Sequence, residues 1–405
     1  MLPTFLLQKT YMASMNGESD SLQINPSGYH MGETPFESLR TAIAWAMVHD
    51  EDVIYCICGN DARVILDMDI LESVVYDIAP EGIALLYVDV KYRQSIPVNQ
   101  HCAVIEGIAD VSSFLLLQPI YRFVLSLLDE CTSNSEISWI ALLRLIGPHA
   151  FALSNHIPEA ENRIKFHIVS PFRNVANYIA DYWASVSKQV YPDYHAYLID
   201  DCSTDGSSEL IDEVPNMTKV INTDRKYALE NILNILLQQE IKDEDVICLL
   251  DADDRLPHKY VLNILHSVYQ EKTLLLTYGS MRYLGGQRRF GKAYTREEFA
   301  DLRNSKWQTS HLRTFRYKLF KELIKQDADL QYLKKADGQI LRMPYDMALL
   351  FPLMELAGYE NTRFIHTPLY EYRLHGNNDQ YVNRKEQYDG EMEIRKKTRL
   401  KQAFL

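Results

Sequence analysis

The stretch AYLIDDCSTDGSSELI, residues 196–211, runs apolar into two adjacent carboxylates, Asp200 and Asp201, and then breaks into Ser, Thr, Asp and Gly. Further on, DVICLLDADDRLPHKYV, residues 245–261, repeats the form with an apolar run that stops at Asp251, Asp253 and Asp254. Short apolar, β-branched runs bounded by turn residues read as buried strands, so each acidic cluster sits at a strand end. Two readings stand there. Asp, Ser and Gly suit a turn through local hydrogen bonds and positive φ; carboxylates at strand ends also suit a ligand site.

Working outward, the order from residue 165 is strand KFHIVSPF, helix NYIADYWASVSKQ, strand HAYLIDD, short helix GSSELIDEV, strand TKVINT, helix YALENILNILLQQEI, strand DVICLLDAD and helix HKYVLNILHSVYQ. Strands alternating with helices predict a mostly parallel sheet with right-handed crossovers. In such sheets ligands lie beyond the carboxyl ends of the strands. Both acidic clusters, and the turn SPFRN, fall at such ends. An Asp-x-Asp there can place carboxylates on a hard divalent cation such as Mg²⁺ or Mn²⁺, which in turn can bridge two phosphates. One D-x-D alone is a weak signal: LDMD, ending at Asp69, has the same spacing and reads as ordinary structure.

Taken in register, FHIVSPFRNVANYIADYWASVSKQVYPDYHAYLIDDCSTDGS and ICLLDADDRLPHKYV resemble the start of a family-2 glycosyltransferase of the GT-A type. That family opens with a strand ending in a Pro-x-Arg/Tyr-Asn turn, followed by a strand ending in Asp-Asp-x-Ser-Thr-Asp and then an Asp-x-Asp strand end. The similarity continues more loosely through SHLRTFRYKLF, YDMALLFPLMELAG and PLYEYRLHGNN, to about residue 385.

The resemblance implies a metal-dependent, inverting transfer of a sugar from a nucleotide-sugar, most simply UDP-linked, to a hydroxyl of a glycan, glycoprotein or glycolipid. It assigns Asp200 and Asp201, with Pro171 and Arg173 on the neighbouring loop, to the nucleoside, and Asp251 to the ribose or sugar. Asp253 and His375 become ligands of Mn²⁺ or Mg²⁺. His311 touches a sugar, and Arg313 offsets the charge of the diphosphate or of an anionic acceptor. Asp346, at the start of the acceptor-side helix, becomes the general base; as plain structure, the same carboxylate suits a helix N-terminus. One segment departs from the family: NTDRKYALENILN has Asp224 and Tyr227 where small residues are usual, and there Arg225 or Lys226 faces the diphosphate.

The polar segment HIPEAENRI, residues 156–164, marks a boundary between an acidic N-terminal α/β domain (1–160) and the transferase-like domain (161–405). The second divides into a nucleotide-sugar half (161–280), an acceptor half (281–385) and a charged, solvated C-terminal helix (386–405). The first holds 20 Asp+Glu against 7 Lys+Arg, which disfavours nucleic acid as its partner. Its runs predict a helix over 38–49, with Leu39, Ile43, Ala46 and Met47 near one face, strands over 52–59 and 82–90, and a buried or amphipathic helix over 111–128. It reads as a docking module or as a degenerate second GT-A-like unit. Residues 281–325 hold 12 Lys+Arg against 4 Asp+Glu, including Arg288, Arg289, Arg313 and Arg316. No stretch has the length and purity of a membrane span, and the six scattered cysteines read as reduced thiols, so a soluble, cytoplasmic protein is expected. The rival readings are a sugar-binding scaffold on a dead transferase fold, and a nucleotidyltransferase. The latter lacks a Gly-rich basic loop after the first strand to hold a triphosphate.

Overall fold

The computed structural model describes residues 163–284, 289–376 and 383–403; before them it describes 7–15, 22–25, 40, 43–44, 47, 53–58, 85–97, 102–117, 124–125 and 150–153. The chain divides into two compact units, Met1–Glu159 and Ala160–Leu405.

The first unit is a six-stranded sheet of β1 (Leu7–Met15), β2 (Leu22–Asn25), β3 (Val53–Cys58), β4 (Leu85–Pro97), β5 (Cys102–Leu117) and β6 (Ala150–Leu153) in the order β2-β1-β3-β5-β4-β6. Every pairing except β4–β6 is antiparallel. That ladder is not the parallel, crossover-linked order of a second GT-A-like unit. The helix expected over 111–128 is also corrected. β5 pairs with β4 through Leu116, and among the described residues beyond Leu117 only Val124 and Leu125 are helical before residue 130. A continuous apolar run fits a buried helix or a doubly covered strand equally well, and here the neighbouring strands take it. Arg40, Ile43, Ala44 and Met47 are helical as expected, but Ile43 is buried while Met47 is exposed, so the inward face is narrower than read. LDMD lies outside the described residues.

The second unit is built on a seven-stranded sheet. Its strands are β7 (Phe166–Phe172), β8 (Tyr194–Asp200), β9 (Met217–Ile221), β10 (Val246–Leu249), β11 (Leu276–Gly279), β14 (Arg313–Arg316) and β15 (Thr362–Ile365), in the order β15-β11-β14-β10-β7-β8-β9. Only β14 runs against its neighbours; β10, β7, β8 and β9 are parallel. A small sheet joins β12 (Met281–Tyr283), β13 (Arg289–Phe290) and β16 (Glu371–Tyr372). The strand order turns back between β8, β7 and β10, so their carboxyl ends open a crevice where the direction of winding changes.

Helices cover the sheet: α1 (Ile179–Ser187), α2 (Tyr227–Gln238), α3 (Val261–Val268), α4 (Arg296–Ala300), α5 (Tyr317–Gln326), α6 (Tyr345–Ala357) and α7 (Arg384–Lys396). α2 turns Leu229, Ile232, Leu233 and Leu236 onto the core, the spacing of one helical face. α6 differs in that every residue from Met347 to Ala357 is buried, as a helix apolar on all sides must be. Only its first turn, Tyr345 and Asp346, reaches the crevice. α7 is largely solvated, as expected, but one face is anchored. Ile394 belongs to the core, Arg395 donates to the carbonyls of Arg303 and Ser305, and Gly390 lies so close to Met343 that a side chain there would collide with its carbonyl.

The basic excess of 281–325 is partly structural. Arg316 is buried and donates to the carbonyls of Leu274, Tyr269 and Glu244, tying β14 to the loops beside it. Nothing is described of the side chains of Arg288 and Arg289. Cys202 and Cys248 are free thiols. Among the described residues, no helix is long and apolar enough to cross a membrane.

Candidate active site

The crevice is a cavity of ≈ 620 Å³. Its wall brings together Pro171 and Arg173 from the end of β7, Asp201 from β8, Asp251 and Asp253 from β10, His311 and Arg313 from β14, Asp346 from α6, and Arg225 and His375 from loops. Of the residues that the resemblance assigned to the donor, Asp200 and Lys226 are not on this wall.

The opening pair resolves into turn chemistry first. Asp200 is buried; its Oδ1 accepts from the Ser203 amide at 2.6 Å, and its Oδ2 accepts from the Ser208 hydroxyl. The expectation that it meets a nucleoside is therefore corrected: its oxygens close the STDGSS turn. Asp201 borders the cavity, yet it organises protein too. Its Oδ1 accepts from Lys226 N at 2.7 Å, Asn231 Nδ2 at 3.0 Å and Asn222 Nδ2 at 3.2 Å, and its Oδ2 accepts from Tyr227 N at 3.0 Å. A carboxylate offers about two acceptor positions on each oxygen; Oδ1 is crowded by three donors, while Oδ2, with one donor and Arg225 Nε 3.7 Å away, is the less occupied. Arg173 donates to the carbonyls of Asp201 and Cys202 at 2.8 and 2.6 Å, fixing the same strand end.

The second cluster is stacked by depth. Asp254 is the deepest, at 1% exposure, where it accepts from the Tyr370 hydroxyl and the Arg373 amide, each at 2.6 Å. Burial, with the charges of Asp253 and Asp251, pushes it up to about 9, so it is protonated at neutral pH. Asp251 accepts from the Tyr345 hydroxyl at 2.6 Å and is raised to about 6, by burial first and by the charge of Asp253 second. Asp253 and Asp251 are about equally exposed, well above Asp254, and His375 Nε2 lies 2.9 Å from Asp253 Oδ2. The imidazole stacks on Tyr178 with ring centres 4.9 Å apart. Behind this loop, Arg373 binds Asp253 O and Asp181, and Arg255 binds both Asp181 and Glu371.

No cluster of three ligating side chains exists among the described residues. Asp253 and His375 still fit a divalent cation, because two donors aimed at one point suit a site whose other positions are filled by phosphate oxygens and water. Asp253 and His375 are the residues that would hold the family-implied ion.

Across the cavity, Arg313 Nη2 pairs with Asp346 Oδ2 at 2.7 Å, and Asp346 Oδ1 accepts from Met347 N at 2.8 Å. Burial works against the charge of Arg313, but Asp346, Tyr345 and Asp251 together more than offset it. Its charge is therefore matched inside the protein by Asp346. His311 is 9% exposed and stacks on Tyr370 at 4.3 Å, with Nδ1 lacking a hydrogen-bond partner. Burial, and then the charge of Arg313, hold its pKa well below the usual histidine value. A neutral ring results, with Nε2 3.7 Å from Asp251 Oδ2. The sequence reading missed Tyr345, Tyr370 and the role of Asp254. The only signal was their place inside matched segments, YDMALL, PLYEYR and DADD.

Residues 167–337 match the family model of glycosyl transferase family 2. This segment is a family-2 glycosyltransferase domain. The transferase domain has the GT-A arrangement, a mostly parallel central sheet with flanking helices. No curated protein sequence matches the chain significantly. Among solved structures, it is similar to Staphylococcus aureus TarS 1–349 in complex with UDP-GlcNAc, at 19% identity over 52% of this chain and 59% of that one, TM-score 0.37. It is similar to the Pyrobaculum calidifontis mannosyltransferase PcManGT with GDP-Man and Mn²⁺, at 16% identity over 60% and 68%, TM-score 0.38. A third is glucosyl-3-phosphoglycerate synthase of Mycobacterium tuberculosis with Mn²⁺, UDP and phosphoglyceric acid, at 16% over 60% and 85%, TM-score 0.42. The chain spans about 60% of the length of the TarS fragment.

Proposed function

We propose that the transferase domain moves a sugar, with inversion, from a nucleotide-sugar to a hydroxyl of a glycan or glycoconjugate, and that the donor is UDP-linked. The observation that carries this reading is that Asp253 with His375, and Asp346 with Arg313, line one cavity. One pair suits the charge of a leaving diphosphate, the other the proton of an attacking hydroxyl.

A sugar hydroxyl is a weak nucleophile at neutral pH, so a positioned base is needed. Asp346 supplies it. The acceptor oxygen forms its bond to the anomeric carbon as the bond from that carbon to the diphosphate breaks; the proton goes to Asp346 and the electron pair leaves with the phosphate. Arg313 donates to the carboxylate and orients it. A divalent ion held by Asp253 and His375 would supply positive charge beside the departing diphosphate. Asp251 offers Oδ2 to a donor hydroxyl, its Oδ1 being taken by Tyr345. Asp201 offers its less occupied Oδ2 to the nucleoside, and neutral His311 offers Nε2–H to a sugar oxygen.

The test is nucleotide release from a panel of UDP- and GDP-sugars in Mn²⁺, with the anomeric configuration of any product read by NMR. Release from one donor, lost in Asp253→Ala, supports the reading and names the sugar. No release from any donor, together with no metal-dependent nucleotide binding, would favour a scaffold on a transferase fold.

A further inference from the structure

Arg225, which the resemblance sets against the diphosphate, forms with Arg342 a pair of cations to which the transfer step above assigns no role. Arg225 and Arg342 both sit against the ring of Tyr227, their guanidinium carbons 4.1 and 4.4 Å from its centre, and Arg342 Nη1 donates to the Tyr227 hydroxyl at 3.3 Å. All three residues line the cavity. Tyr227 holds its ring there at a cost, with a φ of 66°, a left-handed conformation that a bulky residue rarely adopts. The Asp201 carboxylate fixes it through the Tyr227 amide. Strained backbone retained at a cavity wall is a pointer to function.

The other arginines around the crevice are taken up by the protein itself, Arg173 by the carbonyls of Asp201 and Cys202. Arg313 is matched by Asp346, Arg255 by Asp181 and Glu371, and Arg282 by Glu371. Arg342 has no carboxylate within 4.0 Å among the described residues, and the nearest to Arg225 is Asp201, 3.7 Å away and already accepting four hydrogen bonds from other groups. Two guanidinium groups gathered on one ring repel each other, and the face of a tyrosine offsets that only in part. Their forked N–H groups match phosphate and carboxylate oxygens.

Position says which substrate carries the anion. Arg342 stands four residues before Asp346, on the segment that ends in the general base, while the diphosphate belongs with Asp253 and His375. Gly390 of α7 packs against Met343 and so supports this segment from behind. We propose that Arg342, with Arg225 across Tyr227, binds a phosphate or carboxylate borne by the acceptor, so that the acceptor class is anionic. The assignment to the acceptor rests on the function proposed above; the presence of an anion site does not.

The test uses the full chain and two matched pairs of probes, glycerol 3-phosphate against glycerol and glucuronate against glucose, with binding followed by ligand-observed NMR in the presence and absence of UDP and Mn²⁺. Expected is binding of one anion but not of its neutral partner, weakened by salt and by about tenfold or more in Arg342→Ala. UDP affinity should change less than about twofold in that variant. Whichever anion binds identifies the source as a phosphate ester or a uronate-type carboxylate. Arg342 is exposed, and thermal unfolding of the variant checks that it folds. The proposal is overturned if neither anion binds, if binding is the same in Arg342→Ala, or if UDP displaces the anion and loses affinity in parallel, which would give the pair to the donor. Anion binding without any nucleotide binding would leave the site standing and remove the transferase reading instead.

Discussion

The Tyr345 hydroxyl donates to Asp251 Oδ1 at 2.6 Å. Through this bond the first turn of α6, which carries Asp346, is tied to the end of β10, which carries Asp253. Under the proposed function, this bond holds the donor and acceptor sides of the cavity in register. Tyr345→Phe should cost roughly 1 kcal/mol of stability and lower kcat by about tenfold, because a small misplacement of the base is enough to slow the step. Denaturation and steady-state kinetics on the same preparation check both.

Asp346→Asn keeps the shape of the side chain and removes the base. A drop in kcat of about 10²–10⁴-fold is expected, with nucleotide affinity unchanged as measured by calorimetry. Equal losses of turnover and nucleotide affinity would instead make Asp346 a structural partner of Arg313.

Asp201→Asn places an amide NH₂ among donors from Lys226, Tyr227, Asn222 and Asn231. At least one buried donor loses its acceptor, at a cost of about 1–3 kcal/mol. The loop carrying Tyr227 should loosen, seen as faster amide exchange at residues 224–228 than in Asp346→Asn.

Away from the cavity, Asp245 accepts from His167 Nε2 at 3.0 Å and from Lys242 N at 3.0 Å. Burial raises its pKa, but the His167 and Lys242 contacts outweigh that and leave it below the usual aspartate value. A depressed folded pKa contributes stability above the ordinary carboxylate range that is lost as pH falls through the folded value. The difference in stability between the parent chain and Asp245→Asn should therefore shrink from neutral pH to about pH 3, measured by urea denaturation across that range.

The doubly wound half of the transferase domain was legible because its pattern is local. KFHIVSPF, HAYLIDD and DVICLLDAD are short runs with turn residues at their ends, and each proved to be a strand within a few residues. The region 111–128 misled for the same reason, since an apolar run alone does not say whether a helix turn or a neighbouring strand will satisfy its backbone. At the site, carboxylates were found by spacing, but their division of labour depends on depth. Nothing in IDDCSTDG shows that Asp200 turns into its own loop while Asp201 gathers four donors from residues 222–231. Tyr345 and Arg342 come to the cavity, and Tyr370 to the buried carboxylate of Asp254, from segments about a hundred residues along the chain from Asp251; that kind of long-range proximity leaves no periodic trace.

The most direct measurement is calorimetric titration of the full chain with UDP, with and without Mn²⁺, beside Asp253→Ala and His375→Ala. Expected is binding that requires Mn²⁺ in the parent chain and weakens by about tenfold or more in each variant, as removal of a metal donor should cause. Binding of UDP that is indifferent to Mn²⁺ and to both substitutions would contradict a metal-assisted transferase site at the end of β10.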